Sequence, residues 1–556
     1  MDSPLLEKEP SHTLLTANRR QAARLQYDDD REQQAAGNRL WQTPDILPWE
    51  AWLRRLWDEL LVCSTAQHPR LLNAQQERLL WEQVIQDSPL TPDLLQPTAT
   101  AQRAQEAWRL LHAYQQTVPV ADDWPNLDVR TFAAWAAAYH QRCETQNWLD
   151  AAGLPAYLTA RIESGDLLLP ESVTLRGFDE LTPAQRALLD AAERCGCSVQ
   201  ISPDVPGESH AVCLACEDNE QELECAARWT RALLERGDVG RIGIVVHDLG
   251  ALRAAVARHF DDVLDPAALL PGATRQPLYN ISLGQPLSQY PIVAAALNLM
   301  NLGAELGALD VERLGGLLRS PFLGGGESEK ISRARLDALV RESGEPTISI
   351  NRLLFHVEEG GGNAPALAAA LREWRSQRYE QPYKLGAAAW AEAFAASLRC
   401  VGWPRGRALD SAEYQTVEAW RDVVGQLAAL DEVAGLLGYR QAVNKLRQLA
   451  DETLFQPRTP ELPVQILGLL EAEGLRFDHL WVVGWHDEVW PAAPHPHPLL
   501  PVSLQRRCQM PHSSAARELS FAEGVTERLL HAAPHIVVSW PGRDGDRTLR
   551  PSPRIQ

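Results

Sequence analysis

Lysine is the residue that this chain most lacks. Only four of its 53 basic residues are lysines, namely Lys8, Lys330, Lys384 and Lys445. None of them follows a glycine, so the chain has no G-x-x-x-x-G-K-[ST] loop, in which backbone amides and a lysine hold nucleotide phosphates. None stands two residues after Asp or Glu, so the [DE]-x-K step of a metal-dependent PD-(D/E)XK nuclease is missing too. The scarcity itself is typical of a GC-rich coding bias.

Long apolar runs, a secretory signal and a disulfide framework are also absent. No apolar run reaches the roughly 18 residues that a membrane helix needs. The first residues, "MDSPLLEKEP", contain acids and no apolar signal core. Nine cysteines in 556 residues are too few for a disulfide scaffold. We therefore expect a soluble cytoplasmic protein with free thiols and no membrane contact.

Positive charge is in deficit, because the formal net charge is −20. This balance argues against a protein that binds nucleic acid over its whole surface, whose electrostatic footprint would be basic. It does not exclude a locally basic channel.

Apolar runs alternate with helical periodicity in an order that predicts an α/β fold with parallel sheets. Strands are expected at "TLL" (Thr13–Leu15), "VTLRGF", "SVQIS", "AVCLACE", "RIGIVVHD", "VQILGLLEA", "HLWVVGW" and "HIVVSW". The predicted first domain is 1–205, with a helical insertion at about 45–168 whose tryptophans recur at core spacing. The second domain is predicted at 206–284 and 462–541, with a helical insertion at 285–461 and a linker at 542–556.

Helix capping signals place two helices within this pattern. Thr182 as N-cap, Pro183 at the first helical position and Gln185 predict a capping box. Asn219 and Glu222 predict a second capped helix, which Gly237 should end. Both helices would link neighbouring parallel strands.

Five segments together resemble a known family. They are "LLTANRRQAARL", "VTLRGFDELTPAQRALLDAA", "DNEQELECAARWTRALLERGDVGRIGIVVHD", "ISLGQPLSQYPIVAAALNLMNL" and "VQILGLLEAEGLRFDHLWVVGWHDEVWP". In this order they resemble UvrD-type superfamily 1 helicases, and more closely the AddB/RecC-like, helicase-derived proteins of bacterial double-strand-break repair. The family normally adds a C-terminal RecB-type nuclease. The resemblance implies two RecA-like (P-loop NTPase-type) domains, binding to single-stranded DNA or duplex ends, and a helicase or nuclease partner.

The positions that would hold a nucleotide in such a helicase are degenerate. The loop after the first strand is Thr16, Ala17 and Asn18, without glycine, and Arg176 and Gly177 replace the metal-binding acidic pair. Gln185 and Glu473 are further altered positions, the latter in place of a lysine. Asp179 and Glu180 are a displaced acidic pair that more often serves a helix start or solvation. A phosphate-sensing arginine is expected near Thr526, which Arg517 and Arg528 flank.

DNA contacts are predicted at the loops that follow strands. Asn18, Arg19 and Arg20 open a helix, where amides and basic side chains can hold a phosphate, although a solvated helix face is the alternative. Gly474 and Arg476 belong to the last resembling segment. Trp490 could stack on a base. Trp481 and Trp485 should share one strand face in the core.

Metal and cofactor sites are not expected. Cys213 and Cys216 would lie on opposite faces of a strand, which argues against zinc, and the histidines of "PHPHP" at Pro494–Pro498 favour an exposed loop. The favoured interpretation is an ATPase-inactive, helicase-like DNA-binding protein that positions strands for a nuclease. The alternatives are an active helicase with an atypical nucleotide site and a structural assembly subunit without DNA contact.

Overall fold

The computed structural model describes residues 12–89, 96–119, 126–202, 207–237, 240–266, 278–358, 363–405, 407–458 and 462–554. The start of the predicted first domain, residues 1–11, and the predicted boundaries at 205–206 and 461 lie outside these residues. The chain divides into two compact units, the first formed by Met1–Leu283 with Glu461–Gln556 and the second by Gly284–Pro460. The second unit nearly coincides with the predicted insertion at 285–461.

The first part of the chain builds a small parallel sheet and a group of helices. Its strands are β1 (His12–Thr16), β2 (Asp45–Pro48), β3 (Arg70–Leu71), β4 (Trp148–Leu149), β5 (Ser172–Arg176) and β6 (Ser198–Ser202). Its helices are α1 (Arg19–Ala35), α2 (Trp49–Cys63), α3 (Ala74–Gln86), α4 (Pro97–Ala113), α5 (Leu127–Gln146), α6 (Leu154–Glu163) and α7 (Pro183–Arg194). Four strands pair in the order β2-β1-β5-β6, all parallel.

The apolar side chains of these strands pack against the apolar faces of neighbouring helices. Leu15, Val173 and Leu175 are fully buried and pack with Trp49, Trp52 and Trp57 of α2, which confirms the core role predicted for these three tryptophans. The register places Thr16 beside Arg176 at the carboxyl ends of β1 and β5. The loops that follow these two strands therefore begin next to each other.

The larger sheet begins with β7 (His210–Cys216), α8 (Asn219–Arg236), β8 (Ile242–Val246), α9 (Leu249–Leu264) and β9 (Tyr279–Ile281). Every residue of β8 is buried, as a parallel strand covered on both faces should be. The capping box predicted at Thr182 and the stop at Gly237 are confirmed. The cap predicted at Asn219 and Glu222 is wrong, because Asp218 is the N-cap and Glu222 points into the protein.

The second unit is almost entirely helical. Its helices are α10 (Pro291–Gly303), α11 (Val311–Leu318), α12 (Lys330–Glu342), α13 (Ile350–Glu358), α14 (Pro365–Glu380), α15 (Ala387–Cys400), α16 (Ser411–Ala429), α17 (Asp431–Ala434) and α18 (Tyr439–Glu452). Its strands are β10 (Gln285–Pro286), β11 (Leu309–Asp310), β12 (Thr347–Ile348), β13 (Lys384–Leu385), β14 (Leu437–Gly438) and β15 (Leu454–Phe455). They pair antiparallel as β10–β15, β11–β12 and β13–β14. Trp374, Trp390 and Trp420 are fully buried among these helices.

The chain then returns to complete the larger sheet. The remaining strands are β16 (Val464–Gly468), β17 (His479–Val483), β18 (His535–Pro541), β19 (Arg543–Asp544) and β20 (Arg547–Thr548). The remaining helices are α19 (Leu469–Ala472), α20 (Val502–Arg507) and α21 (Ala515–Leu529). The six-stranded sheet has the order β7-β18-β17-β8-β16-β9, with all neighbours parallel. The protein is thus a mixed α/β protein with two parallel sheets.

Two predictions about this last part are wrong. The segment predicted as a linker at 542–556 contains a hairpin of β19 and β20, whose residues are exposed, and is anchored by the buried Ser552, which donates its amide to the carbonyl of Trp485. Trp481 and Trp485 are both buried as predicted, but they lie in different core clusters. The reason is that β17 ends at Val483, and the next residue, Gly484, has φ of 80° and redirects the chain.

None of the described helices combines the length and apolar character needed to cross a bilayer.

Candidate functional site

The site begins at the carboxyl end of β1, where a short loop leads into α1. Thr16 is buried and its hydroxyl donates to the carbonyl of Asn18 at 2.9 Å. The Asn18 side chain accepts the backbone amide of Gln21 at 2.8 Å and so caps the helix. Ala17 and Arg19 are exposed. The predicted phosphate-binding turn is therefore an ordinary capped helix start, with the Asn18 side chain already engaged by the helix.

Gln21 lies in the first turn of α1 and joins this loop to two others. Its side chain is 1% exposed and lies against Gly177, after β5, and Gly474, after α19. These glycines have φ of 73° and 72°, and a Cβ at either position would overlap the Gln21 amide. Neither polar atom of the amide has a hydrogen-bond partner among the described residues. The carboxamide thus fills the point where the loops of the two sheets meet. We call this arrangement the Gln21 wedge.

Ion pairs on either side of the Gln21 wedge also join the loops of the two sheets. Arg528, on α21, contacts Asp179 at 2.5 Å and Glu473 at 3.0 Å. Arg517, on the same helix, contacts Glu180 at 2.6 Å. The predicted displaced acidic pair is therefore paired with the two arginines that flank Thr526. Because each arginine already pairs with a protein carboxylate, it would have to break an ion pair before it could bind a phosphate.

Arg20 extends from the start of α1 toward the larger sheet. Its guanidinium donates to the carbonyl of Ser282 at 3.4 Å, and the Ser282 hydroxyl is hydrogen-bonded to Glu471. Glu471 also accepts the amide of Gly468 at 3.2 Å. Burial lowers the pKa of Arg20, and the nearby Glu471 carboxylate acts in the opposite direction. Arg20 is therefore held by protein groups, and only Arg19 of the predicted basic pair is exposed.

The other predicted nucleotide positions have structural partners. Gln185 accepts the backbone amide of Thr182 at 2.9 Å, so its carbonyl oxygen completes the capping box of α7. Arg176 is half-buried at the end of β5 and pairs in register with Thr16 and Ser202. Neither position presents a carboxylate that could hold a metal ion.

Gly474 and Arg476 line a small cavity of about 140 Å³ with Glu473, Arg528 and His531. The Arg476 guanidinium donates to the carbonyl of His531 at 2.5 Å. This contact fixes the loop after α19 to the end of α21. The structure thus brings together Asn18, Gly177, Glu473 and Gly474 from the predicted set, all around Gln21.

Trp490 does not occupy the exposed position that base stacking requires, and this prediction is corrected. Its indole is 3% exposed and stacks on Trp485, with ring centroids 6.0 Å apart. Its ring nitrogen donates to the hydroxyl of Thr526 at 3.0 Å. Its place in a loop beside Pro491 suggested exposure, but the indole packs beneath α21.

A pocket of about 390 Å³ opens at the carboxyl end of the larger sheet. Ligands of open α/β sheets bind preferentially at this edge. Its walls are mainly apolar and include His247, Leu249, Leu469, Leu470, Trp490 and Phe521. Burial lowers the pKa of His247, which favours the neutral ring. Asp248, Glu471 and Glu518 also line the pocket, so three carboxylates stand among its apolar walls. Sequence patterns did not single it out because its walls come from six separate parts of the chain.

Glu222 is a second feature that sequence patterns did not reveal. It is 1% exposed and accepts the amide of Gly484 at 2.9 Å and the hydroxyl of Ser539. Trp481 donates its ring nitrogen to the same hydroxyl at 2.8 Å. Burial raises the pKa of Glu222 to about 7, against the opposing effect of both hydrogen bonds. This group ties α8 to the ends of β17 and β18.

No group of three or more potential metal ligands converges anywhere in the part of the chain that the structure describes. Cys213 is exposed and Cys216 is buried on β7. His495 stacks on His512 with centroids 3.9 Å apart.

In comparisons with known proteins, no family model and no curated protein matches this chain.

Proposed function

We propose that this chain is a helicase-like, ATPase-inactive protein of double-strand-break repair and recombination. In this proposal the two parallel sheets are two RecA-like domains, and the chain positions single-stranded or end-opened DNA for an exonuclease. The nuclease is a further domain or a partner, and another subunit supplies ATP-driven movement. Support comes from the five ordered segments and from the two parallel sheets whose loops meet within one compact unit.

The observation that carries the ATPase-inactive part is the Gln21 wedge. A phosphate cradle needs open backbone amides, a cation free to approach and a carboxylate for magnesium. Here the Asn18 side chain caps the helix, and the Gln21 amide fills the space between Gly177 and Gly474. Arg528 is matched by two carboxylates. A triphosphate could enter only if these protein contacts were broken.

DNA binding is proposed to depend on backbone contacts rather than on base readout. Such binding weakens with salt and shows little sequence preference. Because the net charge is −20, the contacts must be concentrated in local basic regions. Arg19, exposed at the start of α1, is one candidate contact.

The test combines two measurements on the full chain. ATP hydrolysis with and without single-stranded DNA should stay at background, and fluorescence anisotropy should detect oligonucleotide binding that falls with salt. DNA-stimulated hydrolysis that disappears in Asp179→Asn or Glu180→Gln would instead establish the active helicase. Absence of binding at low salt, with the partner subunit present, would refute the DNA-binding proposal.

A second candidate, an assembly subunit without DNA contact, is favoured by the edge strand β7. Six of its seven residues are exposed, including Val212 and Leu214, although its neighbour β18 is largely covered. An exposed edge strand can pair with another chain. Cross-linking within the assembled complex separates the two candidates, because only a DNA-positioning subunit should cross-link to DNA.

A further inference from the structure

The second unit contains a cavity whose chemistry differs from that of the chain as a whole. It has a volume of about 600 Å³ and lies between the end of α14 and the start of α18. Arg378, Lys384 and Arg440 line it, and no carboxylate is present among the described residues of its lining. In a chain of net charge −20, three cations without an acid form a distinct local field.

The start of α18 adds to this field. β13 and β14 pair Lys384 with Gly438, which is the N-cap of α18. The first-turn residues Tyr439, Arg440 and Gln441 line the cavity, and the first turn contains no acid. First-turn amides have no partner within a helix, and the helix dipole favours an anion beside them. The helix start and the cations therefore act on the same space.

The three cations differ in how they are held. Arg378 donates to the carbonyl of Gly303 at 2.8 Å, and its guanidinium lies 3.9 Å from the centroid of the Tyr439 ring. Lys384 and Arg440 are exposed and have no ion-pair partner in the described part of the chain. Arg378 is thus a fixed wall of the cavity, whereas Lys384 and Arg440 are available to a ligand.

An aromatic side chain stands at the same cavity. Tyr383 is 88% exposed and immediately precedes Lys384. A solvent-exposed ring beside phosphate-binding groups is the combination by which proteins hold single strands, because the ring stacks on a base while cations follow the backbone. A small inorganic anion would leave this ring without a role.

We propose that this cavity, which we call the α18 cavity, binds a phosphodiester of a single DNA strand, with Tyr383 stacking on an adjacent base. The inference rests on the proposed DNA-binding function and locates one DNA contact in the second unit. Lys384, Arg440 and the start of α18 hold the phosphate, and Arg378 shapes the wall behind it.

The experiment measures binding of a fluorescent oligothymidylate to the full chain across a salt series. The test variant carries Lys384→Ala and Arg440→Ala. The matched control carries Lys330→Ala and Arg335→Ala, which remove the same two residue types from exposed positions on α12 outside the cavity. The test variant should bind about tenfold more weakly than wild type, and its log–log salt slope should fall by about 0.7, since the cavity holds one phosphate and each phosphate neutralised on a single strand contributes about 0.7. The control should match wild type.

Each result has a separate meaning. If wild type binds and the test variant binds equally well, the α18 cavity is wrong as the site and the proposed function stands. If wild type does not bind at any salt concentration, either alone or with the partner subunit present, the proposed function fails and this inference fails with it. If thymidine monophosphate, supplied at equal phosphate concentration, displaces the strand completely, the cavity holds a small anion and the strand assignment is wrong.

A second measurement does not depend on the folding of a variant. An oligonucleotide that contains 5-iododeoxyuridine is cross-linked to wild-type protein by light, and the modified peptide is identified by mass spectrometry. Cross-linking at Tyr383 is expected. Cross-links confined to peptides outside 378–384 and 438–441 would overturn the assignment.

Discussion

Replacing Gly177 by alanine tests the Gln21 wedge directly. Gly177 has φ of 73°, so a side chain there has a backbone cost of about 1–2 kcal/mol. A Cβ would also overlap the buried Gln21 amide, and overpacking of this kind typically adds about 1–3 kcal/mol. We therefore expect Gly177→Ala to lower the free energy of unfolding by about 2–5 kcal/mol, with the backbone and steric contributions combined.

The chain offers a matched control for the backbone contribution. Gly165 has φ of 78°, lies in the same unit and has no neighbouring atom within 4 Å of the place where a Cβ would stand. Gly165→Ala should lose only about 1–2 kcal/mol. Equilibrium urea unfolding, followed by tryptophan fluorescence and circular dichroism, measures the difference between the two variants.

A double-mutant cycle isolates the contact itself. In a Gln21→Ala background the overlap is gone, so Gly177→Ala should cost only its backbone contribution, and the coupling between the two sites should be about 1–3 kcal/mol. Equal costs at Gly165 and Gly177, or a cost at Gly177 that does not change when Gln21 is shortened, would refute the reasoning. Either result would mean that the loops leave space for a side chain at Gly177, which the Gln21 wedge as described does not.

Two further changes test buried polar groups. Gln21→Met keeps an unbranched side chain but removes an amide that has no partner among the described residues. It should therefore raise the free energy of unfolding by about 1–3 kcal/mol, measured by urea unfolding. A loss of stability would show that the amide is hydrogen-bonded. Glu222 has its folded-state pKa raised to about 7, so the folded protein binds more protons than the unfolded chain between about pH 4.5 and pH 7. Its stabilising contribution is complete below that window and is lost as pH rises through it, by up to about 3 kcal/mol. Glu222→Gln should abolish this loss of stability with rising pH, which urea unfolding at the two ends of the pH window measures. An unchanged pH dependence would contradict the raised pKa of Glu222.

Local patterns were sufficient for the elements whose stability is local. The apolar run of β8 predicted a strand, and the structure has it, buried on both faces. Thr182, Pro183 and Gln185 predicted the start of α7, because a capping box needs only residues three positions apart. The absence of lysine after glycine excluded a P-loop from the sequence alone.

The same local patterns failed where a side chain had a choice of partners. Glu222 fits a cap position, yet Asp218 caps α8 and Glu222 turns inward to Gly484 and Ser539. Trp490 follows a strand in a proline-bounded loop, yet it is buried beneath α21. In both cases the partner lies far away in sequence, so periodicity contains no information about it.

The sequence by itself therefore determined most strands of the two parallel sheets, though not β2 and β9, together with several helix ends and the lack of lysine-based phosphate chemistry, since these depend on neighbouring residues. Only the tertiary structure decided that Gln21, Gly177 and Gly474 meet, and that Lys384, Arg378 and Arg440 line one cavity. The physical reason is that packing selects contacts by shape and charge in three dimensions. A buried amide between two glycines and a cavity without acids are properties of that packing.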